Sequence, residues 1–468
     1  MLQFKSLSFG LIFIVIVFSG CFAQNSYRLD KPAVDKRVEL LSIVFRLAGN
    51  DEYNRDHFKR YTDRIDRHFT PYRNHELIRF AKKMAEERGV NFDAVMFMAV
   101  HIDENLNPLV KFTDRIPEPR WDKKNADKFV KLLKQFYIDA RCRQFFESND
   151  SLYAEIGKRF LPVYESLDVN WYGSFYGREP TETFVIVNAP AAGGNNYGPS
   201  VNLPDGERKV YAIMGIWEVD DSGMAIFRKD AYLFTLVHEF NHSFVNSLIE
   251  KNEEAFKNNG ERIFDQVKEK MYPQHYGNWK TVLYEALVRA AEIKYMLDHH
   301  FDRGIIQNVI RGEVEKGFLW IEKLVGELQK YSDNRTVYPT LERYMPELIK
   351  AYDGYANFVE KYEENIPHVV SINEFTNGDT DVSAGIKTIT VNFDKPLAGK
   401  GYSIFLGNKG KDAFPKMGGI TYSDDKKSVI MEVSLEKEKE YQLIMKGWNF
   451  KTADGIGIAD YEINFQTK

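Results

Sequence analysis

The chain has 468 residues, of which 44% are hydrophobic, 28% charged and 14% aromatic. That is enough apolar material for two or three domains with cores of their own, and it excludes a disordered chain. The net charge of -5, with both signs mixed along the sequence, leaves no footprint for nucleic-acid binding.

Residues 1–24 read as a secretory signal: Lys5 precedes an apolar run from Leu11 to Phe18, and small residues follow. Two exits compete. Phe18-Ser19-Gly20-Cys21 resembles a bacterial lipobox, which would acylate Cys21 and anchor the chain to a membrane. Cys21-Phe22-Ala23 is a small-x-small pattern that places cleavage before Gln24. The lipobox is preferred slightly, although Phe18 stands where leucine is usual. The expected location is the cell surface or outer membrane as a lipoprotein, or else the periplasm or exterior. Cys142 is the one other cysteine, so no internal disulfide is expected, and a buried, inert thiol is the reading for it.

From about residue 34 to 165 the apolar period is helical. Val38, Leu41, Val44 and Leu47 form one stripe and Gly49 is its stop. HELIRFAKKMAEERG and KFVKLLKQFYIDA repeat the pattern. Near residue 183 the signal changes to two short β runs, TFVIVN (183–188) and VYAIMGIW (210–217), separated by the loop NAPAAGGNNYGPS. Helical signals return from Ala231 to about Tyr362 and end at Ile366-Pro367-His368. Beyond Val369 short strands alternate, with Ile389, Val391 and Phe393 on one face of ITVNF, then SVIMEVSL, EYQLIMKG and YEINFQT. The expected fold class is α+β: a mostly helical domain with a small sheet over residues 25–365, then an all-β sandwich over 367–468.

TLVHEFNHSF, residues 235–244, carries the chemistry. Leu233, Leu236, Val237, Phe240, Phe244 and Leu248 set a helix, with Asp230 as its expected N-cap. His238 and His242 then project from successive turns on one side, where both imidazoles reach one metal ion. Glu239 is rotated by about 100°, one helical step, and serves as general base rather than ligand. A chance H-E-x-x-H arises in roughly one chain in a hundred of this histidine content, so the motif alone is specific without being decisive.

Zn²⁺ catalysis uses three protein ligands and one open position. Ser243 to Leu248 offer no H-x-x-G-x-x-H continuation. The third ligand is sought on the return helix NWKTVLYEALVRAAEIKYML (278–297), where Glu285, Arg289 and Glu292 share one side. Glu285 is preferred and Glu292 competes.

HEFNH followed by YEALVRA resembles the gluzincin pattern of zinc metallopeptidases, whose third ligand is a glutamate on a later helix. More closely, the chain from about 35 to 360 resembles a group of uncharacterised secreted Bacteroidetes proteins with this zincin-like domain. The tail from 369 to 468 is similar to bacterial Ig-like domains, through NGDTDVS, ITVNFDKPL, the turn Ala453-Asp454-Gly455 and the terminal YEINFQTK. The resemblance implies His238, His242 and Glu285 as zinc ligands, Glu239 as base and a peptide or protein as substrate. One position departs from it: Arg289 stands where many gluzincins place an aspartate that orients a zinc histidine.

Peptide hydrolysis also needs a donor for the developing oxyanion, and His275 and Tyr276, just before the return helix, are the candidates. TFVIVN or VYAIMGIW is the candidate edge for aligning an extended substrate by strand addition, with loop Ala189 to Tyr197 at the rim of the cleft. His299-His300 reads as a solvated helix end. The leading expectation is a zinc-dependent peptidase. A non-enzymatic surface binding protein and a zinc hydrolase of glycoconjugate or peptidoglycan peptides are the alternatives.

Overall fold

A computed structural model describes residues 28–178 and 182–468. The signal segment and Cys21 lie outside the described residues. The protein is α+β, and it divides between Phe227 and Arg228 into two compact units.

The first unit opens with strand β1 (Arg28–Val34). Helices follow: α1 (Lys36–Ala48), α2 (Lys59–Phe69), α3 (Glu76–Arg88), α4 (Asp93–Val100), α5 (Lys123–Asp139), α6 (Cys142–Glu147), α7 (Asp150–Tyr164) and α8 (Asn170–Tyr176). Asp35 caps α1 by accepting from the Arg37 N–H at 2.8 Å, and Gly49 ends it in the left-handed conformation. The rings of Phe45, Trp121 and Phe129 meet in the core. Cys142 is fully buried at the start of α6.

Strands β2 (Glu182–Ala189), β3 (Asn196–Tyr197), β4 (Ser200–Asn202) and β5 (Arg208–Gly215) complete one sheet, and β6 (Glu218–Val219) pairs with β7 (Ala225–Ile226). β1 and β5 flank β2, both parallel to it, while β3 and β4 close the other side of β5 antiparallel.

This corrects the expectation of a substrate-aligning edge. Thr183–Asn188 lies in β2 and Val210–Gly215 in β5, and both are interior strands. Two segments took the edges. The Gly- and Asn-rich loop folds back as β3 and β4. RLDKPAV, which shows no alternation, takes the other edge, where the missing N–H of Pro32 costs no ladder bond. The loop from Ala189 is packed rather than a free rim: Ala189 to Gly193 are buried, and the Asn195 amide donates to the Glu52 carbonyl at 2.9 Å.

The second unit begins with α9 (Lys229–Lys251), α10 (Glu253–Met271), α11 (Trp279–Asp298), α12 (Arg303–Glu315), α13 (Ile321–Asp333) and α14 (Leu341–Glu360). α11 packs against α9, α10, α12 and α13. Seven strands follow: β8 (Val369–Ile372), β9 (Thr388–Phe393), β10 (Ile404–Phe405), β11 (Lys416–Tyr422), β12 (Ser428–Ser434), β13 (Glu440–Met445) and β14 (Tyr461–Gln466). They form two antiparallel sheets, β11-β12-β9-β8 and β10-β13-β14, over one apolar core. Ile389, Val391 and Phe393 point into that core, as the alternation predicts. Arg311 on α12 lies over the Trp448 ring at 3.6 Å, and Lys451 pairs with Glu322 on α13 at 3.3 Å.

Candidate metal centre

α9 forms because its apolar residues recur at helical spacing without Gly or Pro. Leu233, Leu236, Val237, Phe240, Phe244 and Leu248 are buried along it. The helix starts one turn-fraction earlier than expected, at Lys229 with Arg228 in the capping position, so Asp230 sits in the first turn. Its charge favours the positive end of the helix dipole there. α11 starts where Asn278 caps it, accepting from the Thr281 N–H at 3.0 Å. Its Ala286, Ala290 and Ala291 are buried and small, and allow close packing of its backbone.

This packing brings His238, His242 and Glu285 together. The two Nε2 atoms lie 3.3 Å apart, His238 Nε2 is 3.5 Å from Glu285 Oε2, and His242 Nε2 is 3.5 Å from Glu285 Oε1. Tetrahedral Zn²⁺ takes N and O ligands at about 2.0–2.2 Å, which sets ligand atoms about 3.3–3.6 Å from one another. The spacing therefore fits a metal ion of that size. No other cluster of this kind occurs among the described residues.

The far ring nitrogens supply a second argument. His238 Nδ1 faces Glu292 Oε2 at 3.4 Å, and His242 Nδ1 faces Asn246 Oδ1 at 3.2 Å. Both partners are acceptors, so both rings carry their proton on Nδ1 when neutral. Two Nε2 lone pairs and a carboxylate then point into one space, an arrangement that a cation satisfies. Glu292, the competing ligand of the sequence reading, is thus placed behind His238, and Glu285 beside both imidazoles. An acid absent from position 289 thus stands behind His238 about one turn later, at Glu292.

Arg289 turns toward the Glu285 carboxylate instead. Its guanidinium donates to Glu285 Oε2 at 3.2 Å, to the Tyr276 hydroxyl at 3.0 Å and to Glu313 Oε2 on α12 at 3.0 Å. The Tyr276 hydroxyl donates to Glu285 Oε2 at 3.0 Å. Its neighbour His275 is exposed in a left-handed turn. Glu239 is half-buried, and its carboxylate has no hydrogen-bond partner among the described residues. Sequence reasoning missed the roles of Asn246, Glu292 and Glu313. The first two carry a signal, four residues after His242 and seven after Glu285 on the same helical faces; Glu313 carries none.

Charges follow from this crowding. Burial opposes protonation of His238, but Glu285 and Glu292 outweigh it and push His238 up to about 10. Burial, helped by the His238 charge, pushes His242 down to about 4. Burial raises Glu239 to about 7. Burial disfavours the Glu285 carboxylate too, yet the two histidines and Arg289 hold it well below the usual range. His299 lies on the ring of Tyr295, with centroids 3.9 Å apart, at the end of α11.

A family profile described as a domain of unknown function (DUF4932) matches residues 78–351, more than half of the chain. The chain belongs to this family. The DUF4932 segment crosses the boundary between the two units and ends before the β-sandwich, and every residue of the cluster falls inside it. No curated protein matches the chain. Among solved structures it is similar to surface layer protein SbsC, domains 1–6, at 14% identity, covering 50% of this chain and 33% of that one with a TM-score of 0.17. The N-terminal part of the bacterial S-layer protein SbsC matches at 12% identity, covering 50% of this chain and 58% of that one, again with a TM-score of 0.17. The chain thus spans less than two thirds of each of these structures, and at this TM-score the likeness carries no argument.

Proposed function

We propose that this DUF4932 protein is an exported zinc-dependent peptidase with a gluzincin-type centre. The observation that carries the reading is the mutual spacing of 3.3–3.5 Å among His238 Nε2, His242 Nε2 and the Glu285 carboxylate. These three residues would hold the ion. When bound, zinc acidifies water and polarises a carbonyl oxygen.

Glu239 takes a proton from the attacking water on its free carboxylate and passes it to the leaving nitrogen. Glu292 and Asn246 hold the imidazoles in the tautomer that presents Nε2 to the ion. The Tyr276 hydroxyl has a single proton, given to Glu285, so it supports the ligand; donation to a substrate oxygen requires that bond to break first. The all-β segment is read as an Ig-like spacing or attachment module. Export rests on the sequence of residues 1–24. Among the described residues no helix is long and apolar enough to cross a membrane.

The test is metal content and cleavage of a peptide library by the full chain. Wild type is expected to carry one zinc, His238→Ala to lose it, and Glu239→Gln to keep it while kcat falls by about 10²–10⁴-fold. Absence of stoichiometric zinc from wild type removes the peptidase reading. Zinc retained with cleavage unchanged in Glu239→Gln favours a surface binding protein.

A further inference from the structure

The two oxygens of Glu285 have different surroundings. Oε2 accepts from the Tyr276 hydroxyl at 3.0 Å and from Arg289 at 3.2 Å. Oε2 also faces His238 Nε2 at 3.5 Å, a nitrogen without a proton in the neutral ring, while Oε1 faces His242 Nε2 at 3.5 Å and accepts from neither Tyr276 nor Arg289. A carboxylate oxygen offers two in-plane lone pairs, so two donors on Oε2 occupy it and leave Oε1 as the oxygen open to a cation.

Arg289 makes this arrangement rigid. Its guanidinium reaches Glu285 and the Tyr276 oxygen through one nitrogen and Glu313 through another, and the Phe318 ring lies 5.0 Å from its central carbon. Glu313 is only 6% exposed, and its second oxygen is held by Lys316 at 2.8 Å. A planar fork is required to serve these acceptors together, and an ammonium group cannot reproduce it. α11 and α12 thus meet through a carboxylate–guanidinium–carboxylate line whose inner end is a proposed metal ligand.

We infer that Arg289 and Glu313 are a positioning pair that, with Tyr276, holds Glu285 as a one-oxygen ligand. The inference rests on the zinc reading above. It gives Arg289 a task different from the histidine-orienting acid expected at its position: it fixes the ligand carboxylate, while Glu292 fixes the histidine. Without the pair, Glu285 is free to rotate and to offer both oxygens.

The experiment uses the full chain loaded with Co²⁺, together with zinc affinity measured by chelator competition. Wild type is expected to take up one Co²⁺ with the intense visible bands of a four-coordinate centre. In Arg289→Lys and Glu313→Gln, zinc affinity is expected to fall about 10–100-fold, and the cobalt bands to weaken as the carboxylate contributes its second oxygen. Circular dichroism of the metal-free proteins checks folding, and Tyr276→Phe, which removes one donor from Oε2 and one acceptor from Arg289 but leaves the Arg289–Glu313 contact in place, is expected to shift the same bands. Wild-type affinity and wild-type cobalt bands in the folded variants would overturn the inference and leave the pair a pin between two helices. A wild type that takes up neither metal overturns the zinc reading itself, which is a distinguishable result.

Discussion

Each histidine of the cluster has an acceptor facing its Nδ1, which turns its Nε2 lone pair toward the space that the two rings share. The H-E-x-x-H spacing was legible because a helix turns local sequence into local geometry: residues four apart must share a face. The acid behind His238 was not legible as such, because Glu285 and Glu292 lie two turns apart on one face and only the packing of α11 decides which of them comes beside Nε2. A second buried acid is independent of the cluster. Glu39 on α1 is wholly buried, and its carboxyl faces the Ala191 N–H at 3.4 Å. Burial pushes it up to about 8, against about 4.3 in an unfolded chain. Its folded-state value is raised, so its contribution to stability is complete below the unfolded value and is lost as pH rises through about 8. The loss is on the order of a few kcal/mol. Urea unfolding at pH 5 and pH 9 is expected to show this decline in wild type and a shallower one in Glu39→Gln. Equal slopes in the two proteins would show that Glu39 is not its source.

Among elements, the helices of the second unit are held at short range by residues without side chains. Gly260 on α10 lies against the indole of Trp279, the first residue of α11, and a Cβ there would run into the ring. Gly312 on α12 faces open space. Opposite effects follow from one substitution. Gly260→Ala is expected to destabilise by about 1–3 kcal/mol through overpacking, and Gly312→Ala to stabilise by about 0.5–1 kcal/mol through helix propensity. Thermal melts of the two variants check both signs. The sequence carried α9 and α11 to within two residues at each end, since both have strong apolar stripes and Asn278 is a plain cap. It did not carry β1, a strand with a proline and three charges in seven residues, whose place is decided by the neighbour it pairs with. For the same reason β2 and β5 looked like edges: a strand's position in a sheet is set by segments distant in sequence.

At the scale of the whole molecule, the helical layer and the sandwich of the second unit are joined by contacts of their own, Arg311 over Trp448 and Lys451 with Glu322. The spacing of the apolar residues made the α+β class legible, and the turn to short alternating strands marked where the sandwich begins. The division at Phe227 was not legible, because no linker or shift in composition accompanies it. One buried atom in the first unit gives this division a practical use. The Cys142 sulfur is fully enclosed, and burial pushes its thiol far above the usual range, so little of it is ionised at neutral pH. A thiol reagent added to a Cys21→Ser chain can therefore react only when the packing around α6 opens, and the rate of colour development from an aromatic disulfide reads that opening directly. Slow labelling, accelerated in step with denaturant, is the expected result; immediate labelling of the native protein would show that the thiol is accessible. Cys142 is in this sense a clock sealed inside one half of the chain, ticking only when that half comes apart.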